Sequence, residues 1–218
     1  MSILKIFIDT ANINEIKTAY ELGVISGVTT NPSIIAREGK KFSDAIKEIT
    51  EIMVDGFIFA EVISLNAQGM IKEGRELAKI NDRMIVKIPM CAEGLKATKV
   101  LSKEGIRICI TLLFSECQAI LAANAGATYV APFVGRIDDI GWDGVALVAG
   151  IREIFDTQGI NVQIIAASTR HPMHINALAK CGCDIATVPY KIIMQMIDHP
   201  LTTSGLKKFM EDWETVPK

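Results

Sequence analysis

Eight short runs of β-branched and other apolar residues recur along this chain, each followed by a longer amphipathic stretch, and this alternation limits the fold more than any other feature. The runs are Ile3–Ile8, Val24–Val28, Phe57–Val62, Met84–Ile88, Ile106–Thr111, Thr128–Pro132, Val162–Ala166 and Asp184–Val188. They are apolar nearly throughout rather than at every second position, which is the pattern of parallel strands covered on both faces. The stretches between them carry helix punctuation. Asn12 is placed to cap a helix containing Ile13, Ile16, Ala19 and Tyr20. Ser43 or Asp44 is placed to open another, with Ile46, Ile49 and Met53 on one face. Ser115 precedes Glu116–Asn124, which Gly126 ends.

Eight strand–helix units predict a (β/α)8 TIM barrel occupying residues 1–218 as one domain. The mean unit of roughly 27 residues is near the short end for that architecture and leaves little room for insertions. A doubly wound open sheet is the structural rival, but no glycine-rich phosphate-binding fingerprint follows a strand. A last amphipathic segment, 202–214, places Leu206, Phe209, Met210 and Trp213 on one helical stripe. It is surplus to the eight units. By default it lies across the barrel bottom; the alternative is docking on a neighbouring subunit.

Composition narrows the function. Half of the 218 residues are hydrophobic and mean hydropathy is +0.31, which suggests surface buried on assembly as well as on folding. No apolar run approaches the roughly 18 residues that span a bilayer. The segment Ile3–Ile8 is too short for a signal peptide, so the expectation is a soluble cytoplasmic protein with no membrane partner. A net charge of −2 offers no electrostatic footprint for nucleic acid. The five scattered cysteines read as reduced thiols, and Cys181 and Cys183 lack the second pair a zinc site needs. His171 and His174 share a helical spacing without the acidic residue of a zinc-protease motif. No metal site is expected.

The strand ends carry the chemistry. In a barrel of this kind catalytic groups stand at the C-terminal ends of the strands. There the sequence places Asp9 and Thr10, then Thr29 to Ser33, Glu61, Lys87, Thr111, the segment Pro132 to Arg136, and Ser168 to Arg170; the eighth strand ends only in Val188 and Pro189. Lys87 is the most unusual, because it interrupts the apolar run Met84–Met90. A buried lysine has a partner or a purpose. Burial disfavours an ammonium ion, and a neutral amine attacks a ketone to form a Schiff base. The alternative is a lysine that snorkels to solvent. Asp9 and Asn31 could equally be helix caps, Glu61 a structural partner of Lys87, Thr111 a donor to a backbone carbonyl, and Arg136 a surface charge. Taken together, seven of eight strand ends aim polar groups at one mouth. Lys87 supplies an amine, Asp9 and Glu61 two carboxylates for acid/base work, and Arg136, Arg170 and Ser168 an anion grip. That set describes a Schiff-base aldolase acting on a phosphorylated sugar.

These motifs resemble the transaldolase superfamily, in particular its short transaldolase-like and fructose-6-phosphate aldolase group. The resemblance runs from Lys5 to about Trp213. It is carried by Phe7–Thr10, Gly27–Ser33, Val86–Pro89, Ala92–Leu95, Tyr129–Arg136 and Ala166–Ser168. It implies a (β/α)8 barrel, no cofactor, and Lys87 as the Schiff-base lysine. It implies that Asp9 handles the C4 hydroxyl during C3–C4 cleavage, and that Glu61, Thr111 and a water relay protons. It further implies that Thr29 and Asn31 hold substrate hydroxyls, and that Arg136, Ser168 and Arg170 bind phosphate. It implies a ring-shaped homo-oligomer, a decamer of two pentamers, whose C-terminal helix reaches a neighbour. The fructose-6-phosphate aldolase branch has glutamine at the position of Glu61 and tyrosine at that of Phe133; both residues here are of the transaldolase type. The expected activity is therefore transfer of a dihydroxyacetone unit from a ketose phosphate to an aldose phosphate. Release of free dihydroxyacetone, non-covalent isomerisation or epimerisation, and a non-catalytic phosphosugar-binding barrel are the rivals.

Overall fold

In a computed structural model, which describes residues 3–217, eight parallel strands close in sequence order into one barrel. Met1, Ser2 and Lys218, at the ends of the expected 1–218 domain, lie outside the described residues. The strands are β1 (Lys5–Asp9), β2 (Gly27–Thr29), β3 (Phe57–Glu61), β4 (Met84–Pro89), β5 (Ile108–Leu113), β6 (Tyr129–Pro132), β7 (Gln163–Ala166) and β8 (Ile185–Val188). The pairing of Phe7 with Thr187 is part of the β1–β8 register that shuts the barrel. Around it lie α1 (Ile13–Glu21), α2 (Pro32–Arg37), α3 (Phe42–Ile52), α4 (Ala67–Ala78), α5 (Ala92–Lys103), α6 (Glu116–Asn124), α7 (Val134–Asp138), α8 (Gly144–Gln158), α9 (Pro172–Lys180), α10 (Tyr190–Ile197) and α11 (Pro200–Glu214). Among the described residues no helix is long and apolar enough to cross a membrane.

The expected (β/α)8 barrel is the observed fold. Several boundaries move. β1, β2 and β5 run further toward the mouth than their apolar residues suggested, because pairing with a neighbour rather than hydropathy ends a strand. Asn12 caps α1 as expected, accepting from the Asn14 and Glu15 N–H groups, and Ser115 caps α6 through the Gln118 N–H. The expected start of α3 at Ser43 or Asp44 is corrected. The helix begins at Phe42, and Lys41 at its N-cap makes no side-chain cap bond. The single-turn helices α2 and α7 were not marked by periodicity, being too short to show one.

Alternation along each strand sorts the core into two shells. Residues such as Ile8, Val28, Ile58, Val86, Ile110, Val130, Ile164 and Val188 face the helices in the larger cluster. The opposite faces fill the barrel with Phe7, Phe59, Ile85, Cys109, Tyr129, Ile165 and Ile185. Phe7 meets Phe59 edge to face at 5.5 Å, and Phe59 meets Tyr129 at 5.3 Å. Gly27 makes this plug possible. A Cβ there would stand 2.7 Å from the Phe7 ring and from the Phe57 carbonyl oxygen.

One step of two residues toward the C-terminal mouth changes the character of every inward position. Phe7 gives way to Asp9, Gly27 to Thr29, Phe59 to Glu61, Ile85 to Lys87, Cys109 to Thr111, Tyr129 to Ala131, Ile165 to Ala167 and Ile185 to Thr187. Large rings plug the lower barrel; small and polar residues leave room above them.

α11 does not lie across the barrel bottom, which corrects the default expectation. It buries no residue in its own chain, and Leu206, Phe209, Met210 and Trp213 are 60–70% exposed.

Candidate active site

A cavity of about 120 Å³ opens at the mouth, with Phe59, Cys109 and Ile165 among its walls beside the polar residues Asp9, Thr29, Asn31, Lys87, Arg136, Ser168 and Thr187. Lys87 is the group that most shapes it. β4 carries this lysine inward between Ile85 and Pro89, and only 6% of its surface is exposed. It does not snorkel. Its Nζ donates to the Thr30 carbonyl at 3.0 Å and faces Glu61 Oε2 at 3.5 Å. The pairing of Glu61 with Lys87 in the β3–β4 ladder sets that approach. At 3.5 Å the ion pair is loose, so the amine is held without being locked in a short charge-assisted bond.

Asp9 stands across the cavity. Burial raises its carboxyl above the usual carboxylate range, while the Lys87 charge, a hydrogen bond from Thr29 and the Arg37 charge act in the other direction. The Thr29 hydroxyl donates to Asp9 Oδ1 at 2.6 Å and therefore accepts from the Thr187 hydroxyl. Thr169 closes the series by donating to the Thr187 carbonyl at 2.9 Å. Asp9 caps no helix. A carboxyl with a raised pKa, aligned by one hydroxyl and sharing the cavity with an amine, is suited to take and return a proton.

Asn31 serves two ends. Its Oδ1 accepts from the Ile34 N–H and caps α2, which leaves the NH2 group of this cavity-lining residue free to donate. Thr111 is the odd member. It is fully buried and its hydroxyl has no partner, so it does not satisfy a backbone carbonyl. β5 shifts register between Ile110 and Leu113, and Leu112 takes φ +56° there. Ser168 has φ +61° at the end of β7. These are the two non-glycine residues in the left-handed region among the described residues, a backbone conformation uncommon for either. Neither Glu61 nor Thr111 is on the cavity wall; they lie on β3 and β5, the two strands that flank the lysine's strand β4.

The far rim carries an arginine. Arg136 lies on α7 with its guanidinium 4.7 Å from the Phe133 ring, and Phe133 in turn packs on Phe114 at 5.7 Å. Arg136 makes no ion pair among the described residues. Arg170, expected beside it, is not on the cavity wall; it forms a two-bond fork with Asp139 at 2.7 and 2.6 Å. The two histidine rings lie 3.7 Å apart, tilted by 46°, with His174 Nε2 2.9 Å from Asp138. Among the described residues no group of three or more acids, cysteines and histidines could hold a metal ion.

The structure thus brings together Asp9, Thr29, Asn31, Lys87, Phe133, Arg136 and Ser168, with Glu61 and Thr111 on the flanking strands β3 and β5. Sequence reasoning missed Thr187 and Cys109. Alternation places Thr187 inward only once Ile185 is known to face inward, which the β1–β8 register shows. Burial pushes the Cys109 thiol up to about 12, so it lines the cavity as a small apolar group and not as a nucleophile.

Residues 6–218 match the model of the family described as Transaldolase/Fructose-6-phosphate aldolase. A protein named "Probable transaldolase" in Clostridium botulinum (strain Eklund 17B / Type B) is 60% identical over 215 residues, covering 99% of this chain and 100% of its own. Proteins of the same name in Pelotomaculum thermopropionicum and Caldicellulosiruptor saccharolyticus are each 60% identical, over 98% and 99% of this chain and 99% of each relative. Among solved structures, thiamine phosphate pyrophosphorylase from Pyrococcus furiosus is similar with a TM-score of 0.57 at 16% identity, over 85% of each chain, a likeness of fold alone. The chain belongs to the transaldolase/fructose-6-phosphate aldolase family.

Proposed function

We propose that this enzyme is a transaldolase that carries a dihydroxyacetone unit on Lys87. The observation that carries the reading is a lysine 6% exposed, facing Glu61 on one side and sharing a cavity with Asp9. The Lys87 amine attacks the C2 ketone of fructose 6-phosphate or sedoheptulose 7-phosphate. The carbinolamine loses water, with Glu61, Thr111 and a water moving the protons, and leaves an iminium ion. Asp9 then takes the C4 hydroxyl proton as the C3–C4 bond breaks, and the bond's electrons pass to the iminium nitrogen. An aldose phosphate departs and an enamine stays on Lys87. The enamine adds to the aldehyde of glyceraldehyde 3-phosphate or erythrose 4-phosphate, Asp9 returns the proton, and hydrolysis frees the new ketose. The covalent carrier divides one difficult transfer into two easier steps. Thr29 aligns Asp9, which leaves Asn31 as the first partner for a substrate hydroxyl. Arg136 and Ser168 face the phosphate.

Phe133 favours transfer over release of free dihydroxyacetone. A tyrosine there could protonate the enamine; a phenylalanine has no proton to donate, so the enamine waits for an acceptor. Release of glyceraldehyde 3-phosphate from fructose 6-phosphate, with and without erythrose 4-phosphate, tests this directly. Release only with acceptor is expected. Comparable release without it makes the enzyme an aldolase, and none in either case points to a binding barrel.

The assembly is part of the same reading. An isolated helix the length of α11 is marginal in water. Its exposed Leu206, Phe209, Met210 and Trp213 fit a seat on a second copy of this chain, in the decamer of two pentameric rings that the family resemblance implies. Phe209→Asp with Trp213→Asp is expected to yield smaller species in light scattering, and an unchanged mass in wild type and variant would count against it.

A further inference from the structure

Arg136, on the cavity wall, and Arg170, lying against α7, are held in different ways. Arg136 rests on the Phe133 ring, and an aromatic face occupies none of its N–H donors. Arg170 has two of its donors on one carboxylate, Nη1 on Asp139 Oδ1 and Nη2 on Asp139 Oδ2. That is the planar fork by which an arginine grips a phosphate or a carboxylate. Arg170 reaches Asp139 by crossing α7 at Gly135, where a Cβ would come within 2.6 Å of Arg170 Nε and 2.3 Å of the Ser168 carbonyl oxygen. The bare glycine therefore lets Arg170 lie against the helix that also carries Arg136. Arg136 and Asp139 are three residues apart, so the carboxylate shares a side of α7 with the free arginine.

The neighbouring acid is not equivalent. Asp138 accepts from the Gly144 N–H at 2.9 Å and pairs with the largely buried His174 at 2.9 Å, a fixed structural role. Asp139 has no partner besides Arg170 among the described residues, and both side chains are about half exposed, 50% and 48%. A pair so exposed is weakly held and can exchange with a competing anion.

We propose that Asp139 is a resident anion on the fork of Arg170, displaced when the phosphate of a sugar arrives, so that it sets how strongly the site prefers phosphorylated over unphosphorylated sugars. This rests on the reading of Arg136 and Ser168 as the phosphate end of the site. Asp139 weakens the grip of Arg170 on phosphate by competition, and it keeps Arg170 folded against α7 when the sugar lacks one. It is a positioning residue, acting through Arg170 and touching no reacting atom.

Asp139→Asn keeps the shape and removes the charge, at an exposed position where folding tolerates it. Inorganic phosphate titrated calorimetrically into wild type, Asp139→Asn, Arg170→Gln and the double variant is the test. Competition by an exposed pair predicts that Asp139→Asn binds phosphate about 2- to 5-fold more tightly. The double variant is expected to match Arg170→Gln, since the gain needs Arg170. In turnover, the KM for fructose 6-phosphate should fall by a similar factor while that for fructose does not move. Weaker or unchanged phosphate binding in Asp139→Asn overturns the proposal, because the pair would then be a clasp that holds the site in shape. Tighter binding in the double variant overturns it too, since the effect would not run through Arg170. The titration needs no turnover, so an inactive wild type would overturn the transaldolase reading and leave this test standing.

Discussion

Replacing Lys87 with methionine removes the amine and keeps the volume, and the structure fixes what happens to its neighbours. In wild type the ammonium lies 3.5 Å from Glu61 Oε2 and 3.0 Å from the Thr30 carbonyl oxygen, with both side chains of the ion pair largely buried. At an effective dielectric constant near 20 that attraction amounts to about 5 kcal/mol before solvation is counted. Removing a buried ammonium also removes its own desolvation cost, which offsets much of this. We expect Lys87→Met to destabilise the fold by about 1–3 kcal/mol near pH 8, chiefly through the unpaired Glu61 carboxylate. Glu61→Gln on the Lys87→Met background should recover most of that loss. Asp9 adds a pH signature. Its pKa is already raised by burial, and the Lys87 charge opposes the rise, so it climbs further in the variant. A raised folded-state pKa contributes stability that is complete below the ordinary value of 3.8 and is lost as pH rises through the folded value. The deficit of Lys87→Met should therefore shrink as pH falls toward 3.8. Urea unfolding of the single and double variants from pH 8 down toward pH 4, with aldolase activity measured in parallel, reads all of this. A Lys87→Met protein as stable as wild type at pH 8, with no response to Glu61→Gln, would refute the claim that Lys87 and Glu61 form an energetically coupled pair.

Other residues give independent tests. Phe133→Tyr should raise the ratio of donor cleavage without acceptor to transfer, and an unchanged ratio removes Phe133 from the account of partitioning. Asp9→Asn should lower kcat by about 10²- to 10⁴-fold, the usual weight of a positioned acid/base group. The same change should raise Tm at pH 7, because it deletes a carboxylate that burial penalises, and the gain should fade toward pH 3.8; a fall in Tm at pH 7 would contradict the burial argument. Gly27→Ala should cost about 1–3 kcal/mol by overpacking the Phe7 ring, measured by chemical denaturation.

The fold was legible because both faces of every strand are covered, so each strand reads as an apolar run, and seven of the eight meet polar residues where they reach the mouth. Lys87 stood out for the same reason, a charge inside such a run. Asp9, Thr29 and Asn31 followed from the rule that chemistry sits at the C-terminal strand ends. Thr187 escaped because its strand was judged by its last residues, Val188 and Pro189, and hydropathy does not reveal which residues of β8 face inward until the β1–β8 register is known. The pairing of Arg170 with Asp139 spans 31 residues and follows from the path of Arg170 over Gly135, which no local pattern encodes. The stripe on α11 was visible as a stripe, but an apolar face does not state what covers it. The single turn of α7 that presents Arg136 was too short for any periodicity to register.

The central claim is a covalent bond between substrate and Lys87. Incubation with fructose 6-phosphate followed by borohydride reduction would convert a Schiff base into a stable secondary amine. Peptide mass mapping should then find one reduced dihydroxyacetone unit on Lys87, with none in Lys87→Met. A protein that turns over substrate yet yields no adduct, or carries it on another lysine, would contradict the account.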